Sequence, residues 1–154
     1  MAPNAADAHA GGDTMRPIGA SQVLAMRFPA VCPEIPVLDL PVSLAYYQDK
    51  LGFTIDWADE ALGLAGLSRD ETRMFMADAR YRAALGNRGP VVLWLNLDGR
   101  AAVDALHAEW SAAGATIAAP PTAQPFRLYE FYANDPDGNC FRVFYDFGWE
   151  ERAA

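Results

Sequence analysis

The chain is poor in basic residues and in cysteine. It has 12 lysines and arginines against 20 aspartates and glutamates, which gives a formal net charge of −8. Because nucleic-acid binding needs clustered lysine and arginine, this balance argues against a nucleic-acid partner. The two cysteines, Cys32 and Cys140, fall in predicted strands and are too few for a disulfide framework. We therefore expect reduced thiols and a cytoplasmic protein.

Long apolar runs are also missing from the sequence. No stretch approaches the roughly 20 apolar residues of a membrane-spanning helix, and no charged segment followed by an apolar one marks a signal peptide. Residues 1–22, rich in Ala, Gly, Pro and Asp without periodicity, are predicted to form a flexible tail. The remaining chain is long enough to bury a substantial core, and we predict one domain over residues 23–150.

Familiar catalytic motifs are absent as well. The sequence has no Gly-x-Ser-x-Gly elbow, no glycine-rich phosphate loop, no Cys-x-x-Cys pair and no His-Glu-x-x-His. Of the two histidines, His9 lies in the predicted tail, and His107 lies on a predicted helix where a structural role is the simpler interpretation. The sequence therefore gives no indication of nucleophilic or hydrolytic catalysis.

One structural plan occurs twice along the chain. In the first module, residues 31–79, a strand leads into a helix that Asp39 can cap and Gly52 can end, and three strands follow. Tyr46 and Tyr47 are neighbours on this helix, so we expect one to face the core and the other to face a partner subunit. The module therefore reads β-α-β-β-β.

The second module, residues 90–147, follows the same order. The strand VVLWLNL ends at Asp98, a plausible helix cap, and Gly114 is placed to end the helix that follows. A short strand then leads into a proline-rich connection over residues 120–125. Between the modules, residues 80–89 read as a hinge-like linker because they contain two glycines and an asparagine.

The second module closes with an aromatic-rich hairpin over residues 129–147. Its turn, Asp-Pro-Asp-Gly-Asn, combines a fixed φ at proline with a glycine that can adopt a positive φ. Side chains alternate between the two faces of such a hairpin. The face turned away from the core carries Cys140, Arg142, Phe144, Glu130 and Tyr132. An arginine in so apolar a strand needs a partner or a ligand.

A β-α-β-β-β unit covers one face of its sheet with its helix and leaves the other face open. We therefore predict an α+β fold in which two such modules form a curved mixed sheet with the helices outside. Side by side, the open faces would enclose a cup, which is a typical small-molecule site.

Two segments support a family resemblance. PVLDLPVSLAYYQDKLGF (36–53) resembles the opening strand and helix of the vicinal oxygen chelate superfamily, which includes glyoxalases, bleomycin-resistance proteins and dioxygenases, and DPDGNCFRVFYDF (135–147) resembles its closing hairpin. Trp94, the Ala-Glu-Trp at 108–110 and the Gln-Pro-Phe at 124–126 resemble the bleomycin-resistance branch. This resemblance implies a homodimer that binds its ligand in clefts at the subunit interface, with aromatic rings stacked on the flat part of the ligand.

Enzymes of this superfamily hold a divalent metal at four cup-facing strand positions. The resemblance places those positions at Cys32, near residues 74–76, at Val92 and at Arg142. Aliphatic, thioether and guanidinium groups do not ligate a hard or borderline cation, and one cysteine cannot hold an ion alone. Glu34 is the best single carboxylate that could project into the cup. We therefore expect neither a bound metal nor another cofactor.

The resemblance directs a set of side chains towards the cup. The predicted ligand-binding residues are Trp94, Phe126, Arg142, Glu34, Trp57, Asn96, Tyr132 and Phe144. Trp94 could instead pack in the core, Phe126 could anchor a loop and Asn96 could satisfy backbone groups at a strand end. Trp57 could replace a stacking aromatic that the branch has near Leu62.

Arg142 has two possible roles. It could neutralise Glu34 or another buried carboxylate, or it could clamp an anionic ligand.

These expectations favour a non-catalytic protein that binds and sequesters a bleomycin-type antibiotic. The alternative is a metal-dependent or metal-independent lyase, isomerase or dioxygenase of the same superfamily. A third possibility is a cup that binds no ligand.

Overall fold

The computed structural model of the chain describes residues 29–83, 89–148 and 150. The predicted tail and the start of the predicted domain, at residue 23, lie outside the described residues. In the first module the elements are β1 (Glu34–Pro36), α1 (Leu40–Asp49), β2 (Thr54–Asp59), β3 (Leu64–Arg69) and β4 (Thr72–Ala77), followed by α2 (Ala79–Arg82). In the second they are β5 (Val92–Asn96), α3 (Arg100–Ala112), β6 (Thr116–Ala123), β7 (Leu128–Asn134) and β8 (Cys140–Asp146).

Each module forms a four-stranded mixed sheet. The strand orders are β1-β4-β3-β2 and β5-β8-β7-β6. In both sheets the first strand of the module runs parallel to the last, and the other pairs are antiparallel. The predicted α+β fold with two β-α-β-β-β modules is confirmed. No helix in the described part of the chain is long and apolar enough to cross a membrane.

The helix boundaries follow local capping chemistry, with one exception. The Asp39 carboxylate accepts a hydrogen bond from the Val42 N–H at 3.0 Å, as predicted, and Gly52 and Gly114 follow their helices with φ of +72° and +80°. Asp98 is not a cap, however. Gly99 is the N-cap of α3 and no side chain caps this helix, so Asp98 lies one residue too early.

Three other local predictions differ from the structure. Pro120 and Pro121 of the proline-rich connection are part of β6, which continues to Ala123, and Pro125 follows it; β6 is an edge strand with irregular pairing, where the missing N–H of proline is tolerated. The first residues of the predicted linker belong to the short helix α2, because the Asp78 carboxylate accepts hydrogen bonds from its first N–H groups, and residues 84–88 lie outside the described residues. Cys32 precedes β1 and is exposed.

The two modules share one hydrophobic core. Tyr47 and Phe53 of the first module contact Phe141 of the second, with ring centroids 5.9 and 6.3 Å apart. Trp110 on α3 also contacts Phe141, and its indole N–H donates to the Leu51 carbonyl across the module boundary at 3.2 Å. Both helices therefore cover the same side of the sheets as this core.

The adjacent tyrosines of α1 both contact the second module. Tyr47 is buried and donates to the Asp135 carboxylate at 2.9 Å. Tyr46 donates to the Asn134 carbonyl and accepts from the Thr116 N–H, each at 2.8 Å. Tyr46 therefore joins the modules of one chain, and the expectation that it faces a partner subunit stays a prediction.

Candidate functional site

A row of side chains crosses the outer face of the second sheet, opposite the helices. Trp94 on β5 lies beside Arg142 on β8, which lies beside Tyr132 on β7. The alternation predicted for the hairpin produces this row, since Phe131 and Phe141 are fully buried on the core side. Together with Phe144 in the next row, these residues form the surface that we call the Trp94 platform: Trp94, Arg142, Tyr132 and Phe144.

Arg142 lies between two aromatic rings. Its guanidinium carbon is 3.8 Å from the centroid of the Trp94 ring and 4.8 Å from that of Tyr132. Both contacts are within the range of cation–π attraction. Phe144 meets Trp94 edge-on at 5.5 Å. Trp94 is nevertheless 51% exposed, so the indole is held in place while much of its surface faces solvent.

The charge of Arg142 is neutralised by Glu130. Arg142 Nη2 lies 2.6 and 2.8 Å from the two Glu130 carboxylate oxygens, and Nε lies 3.2 Å from one of them. The Glu130 side chain is fully buried, and the Tyr132 hydroxyl also donates to it at 2.7 Å. The partner that the arginine requires is therefore Glu130, and a pairing of Arg142 with Glu34 was the wrong alternative.

The network changes the ionisation of its members. Burial lowers the pKa of Arg142, but the hydrogen bond and the negative charge of Glu130 outweigh it and raise that pKa above its ordinary value. Burial and the same carboxylate raise the pKa of Tyr132. The phenol therefore stays protonated at neutral pH and remains a donor to Glu130.

Two predicted residues lie on the outer face of the first sheet. Glu34 forms an ion pair with Arg82 on α2, at 3.5 Å. The register of β2 shifts between Ile55 and Trp57, which places Trp57 opposite Gly66 and against Phe75, at 6.0 Å between ring centroids. Trp57 is 44% exposed.

The eight predicted residues are thus divided among three places. Trp94, Asn96, Arg142, Tyr132 and Phe144 share the outer face of the second sheet. Glu34 and Trp57 lie on the first sheet, and Phe126 lies in the turn after β6, where it is 58% exposed. Glu130 was not predicted as a site residue, although its alternation with Tyr132 placed it on the correct face.

A cleft of about 830 Å³ lies between the modules. We call it the intermodule cleft; it is bounded by the β3–β4 turn, the end of β5 and one face of α3. Its lining residues are Phe53, Arg69–Thr72, Trp94–Asp98, Ala102, Ala105, Leu106, Glu109 and Trp110. Of the eight predicted residues, this lining contains Trp94 and Asn96.

The metal positions implied by the resemblance do not have a suitable donor set. Met74 and Met76 are buried towards the core, so the outward residue of β4 is Phe75. The corresponding positions in the second sheet are Val92 and the paired Arg142. Within residues 29–83, 89–148 and 150, no three His, Cys, Asp or Glu side chains are grouped to hold an ion. These residues do not fit a divalent metal centre of the glyoxalase kind.

His107 has structural surroundings. Its ring lies 5.2 Å from that of Phe131, and its Nε2 is 3.4 Å from the Ser111 hydroxyl. These contacts agree with the structural interpretation of this histidine.

Solved structures share the fold of this chain. One is a glyoxalase/bleomycin resistance protein/dioxygenase from Nocardioides, with a TM-score of 0.65, 20% identity, and coverage of 79% of this chain and 86% of that one. A lactoylglutathione lyase from Agrobacterium tumefaciens has a TM-score of 0.64, 18% identity, and coverage of 78% and 96%. A bleomycin-binding protein from Streptomyces verticillus, complexed with copper(II)-bleomycin, has a TM-score of 0.59, 26% identity, and coverage of 77% and 96%.

No curated protein matches the chain at a significant level. Residues 28–143 match a family described as the Glyoxalase/Bleomycin resistance protein/Dioxygenase superfamily. This match covers most of the chain, and it includes the first segment that carried the resemblance and residues 135–143 of the second. The chain belongs to the Glyoxalase/Bleomycin resistance protein/Dioxygenase superfamily.

Proposed function

We propose that this protein binds a small planar molecule on the Trp94 platform and sequesters it without changing it chemically. The observation that carries the proposal is the half-exposed indole of Trp94, supported on one face by Arg142 and at its edge by Phe144. A rigid aromatic surface held in this way suits stacking against a flat ligand, because little conformational entropy is lost on binding.

The ion pair beneath the platform limits the kind of ligand. Because Glu130 engages Arg142 through both carboxylate oxygens, the guanidinium is a poor clamp for an anion. The net charge of −8 also disfavours anionic molecules. Apolar burial and stacking with a neutral or cationic planar group remain as sources of affinity, and a bleomycin-type antibiotic has this chemistry. The likeness to the copper(II)-bleomycin complex supports the same choice.

The chemistry of the donor set supports binding over catalysis. Phe75, Val92 and the paired Arg142 occupy outward positions at which a metal-dependent member would need ligands. We therefore place sequestration ahead of a lyase or dioxygenase activity. Protection of a cell would follow by mass action, since bound antibiotic is withheld from its target.

A homodimer would complete the site. The outer faces of both sheets expose apolar side chains, namely Trp57, Phe75, Val92 and Trp94. A second copy that placed the outer face of its first sheet over the Trp94 platform would bury both groups and enclose a planar ligand between them.

Calorimetric titration tests the proposal, with metal-free and copper(II)-bleomycin as the probes. We expect saturable binding, and replacing the indole in Trp94→Ala should weaken it by about tenfold, which corresponds to roughly 1.4 kcal/mol. Leu38→Ala is the control because it removes an apolar side chain that is also exposed but lies away from both sheet faces.

Metal analysis after incubation with Mn²⁺, Zn²⁺ or Fe²⁺ tests the alternative function, a metal-dependent lyase or dioxygenase. Stoichiometric metal retained after dialysis, together with turnover of a glyoxalase or dioxygenase substrate, would overturn sequestration. Equal affinities of wild type and Trp94→Ala for bleomycin would remove the platform as the binding site.

A further inference from the structure

The intermodule cleft exists because α3 does not cover its whole sheet. This helix packs mainly across β6, β7 and β8, which leaves the core side of β5 open at its end. Arg142, Tyr132 and Phe144 of the Trp94 platform face the other way, since Trp110 on α3 contacts Phe131 and Phe141 on the core side. Trp94 lies on the edge strand β5 and lines the cleft as well, so the cleft and the platform adjoin along this edge.

The floor of the cleft is apolar. Phe53 and Trp110 are buried beneath it, and the partly buried Leu95, Leu97 and Leu106 contribute aliphatic surface. Its volume of about 830 Å³ falls in the range of small-molecule pockets. An apolar body in this space would gain affinity in proportion to the area that it removes from water.

The rim of the cleft is acidic. Its lining contains four carboxylates, Asp70, Glu71, Asp98 and Glu109, and one basic side chain, Arg69. Arg69 lies 3.0 Å from Glu109 and donates to the Leu51 carbonyl at 2.6 Å, so its charge is paired with that of Glu109. The remaining carboxylates give the opening a negative potential that attracts cations.

The edge of β5 adds hydrogen-bond acceptors. The Leu97 N–H donates to Phe144 and the Val91 carbonyl accepts from Cys140, so the odd-numbered residues of this strand bond to β8. The carbonyls of Trp94 and Asn96 therefore point to the opposite edge, where β5 borders the cleft. An ammonium group there could donate to a carbonyl while its charge is balanced by the acidic rim.

From these observations we propose that the intermodule cleft is a second binding site, which takes an organic cation with a small apolar body. The apolar part lies on the floor, and the cationic group lies at the rim near Asp98 and the end of β5. The site adjoins the platform, with which it shares Trp94.

Three fluorescent probes with one naphthalene group test the charge requirement. Dansylcadaverine carries a primary ammonium, dansylglycine carries a carboxylate, and N-butyl dansylamide is neutral. In titrations followed by fluorescence anisotropy, we expect the cation to bind about tenfold more tightly than the anion, and this preference should shrink as salt is added. Equal affinities of the cationic and anionic probes would overturn the proposal.

Two matched variants of α3 locate the site. Ala105 lines the cleft and Ala108 does not, and both are exposed, so either should accept a larger side chain without loss of folding. Ala105→Trp should fill the cleft and weaken dansylcadaverine binding at least tenfold, by roughly 1.4 kcal/mol or more, whereas Ala108→Trp should leave it unchanged. Equal binding by the two variants would contradict the assignment.

A second pair of variants tests the rim. Asp98→Asn should weaken binding of the cationic probe by about threefold, which is the effect of one exposed charge. Asp49→Asn, an equal change of charge on α1, should have no effect.

Bleomycin titration of Ala105→Trp separates the two proposals. Retained bleomycin affinity with lost dansylcadaverine affinity supports two sites. Loss of both affinities would mean that the two ligands share one site, and it would refute a second site.

Discussion

Removing the guanidinium of Arg142 should destabilise the fold strongly at neutral pH. In Arg142→Met the Glu130 carboxylate, whose side chain is fully buried, would keep the Tyr132 hydroxyl but lose three contacts of 2.6 to 3.2 Å from the arginine. Breaking a buried ion pair by removing one partner costs about 3–5 kcal/mol. Because the Arg142 side chain is 23% exposed, solvent can replace part of the interaction, and we expect a loss near the lower limit, about 3 kcal/mol.

A double-mutant cycle measures this interaction. Glu130→Leu should cost less than Arg142→Met, because the partly exposed arginine can turn towards solvent. The double variant Glu130→Leu/Arg142→Met should recover about 1 kcal/mol or more relative to Arg142→Met, since it leaves no buried charge. The free energy of unfolding would be obtained from urea denaturation followed by circular dichroism.

Two results would refute the view that a buried uncompensated charge causes the loss. One is a deficit of Arg142→Met below about 1 kcal/mol at pH 7, and the other is a double variant that is no more stable than Arg142→Met.

Three further predictions concern the interior and the first sheet. Burial and the charge of Asp135 raise the pKa of Tyr47, so its hydroxyl stays a donor, and Tyr47→Phe should lower the free energy of urea unfolding by about 1.5–3 kcal/mol; a loss under about 0.5 kcal/mol would contradict this. Burial raises the pKa of Asp78, but hydrogen bonds from α2 outweigh this effect and lower the pKa below its ordinary value. The ionised carboxylate therefore stabilises the fold above the unfolded pKa of about 3.9, and this contribution is lost as the pH falls through the lower folded pKa. The free energy of unfolding of Asp78→Asn should vary less between pH 5 and 2 than that of wild type, and parallel pH profiles would contradict this role of Asp78. A methyl group at Gly66 would lie 2.5 Å from the Trp57 indole nitrogen. Gly66→Ala should therefore change the tryptophan emission spectrum and lower the free energy of unfolding, followed by thermal denaturation, by about 1–3 kcal/mol. An unchanged spectrum would show that the Trp57 ring does not pack against Gly66.

Much of the architecture could be predicted from the sequence because its signals are local. Asp39 and Gly52 mark the ends of α1 through capping and a positive φ, which depend on a few neighbouring residues. Where local signals competed, the prediction failed: Gly99 rather than Asp98 precedes α3, and β6 continues through prolines that an edge strand tolerates.

The partner of Arg142 depended on contacts that local pattern does not specify. Alternation placed Arg142, Glu130 and Tyr132 on one face, but Glu34 remained an equally plausible partner. Strand register decided the pairing, because Tyr132 lies opposite Arg142 and Glu130 lies diagonally within reach of the guanidinium.

The sequence by itself therefore determined the two modules, their helices and the composition of each strand face, because hydrophobic periodicity, caps and turns act over short distances. Only the tertiary structure decided that Arg142 is neutralised, that a shift in register turns Trp57 outward, and that α3 leaves a cleft beside β5. Each of these depends on the register or docking of elements distant in the chain, and their geometry is set by packing of the whole core.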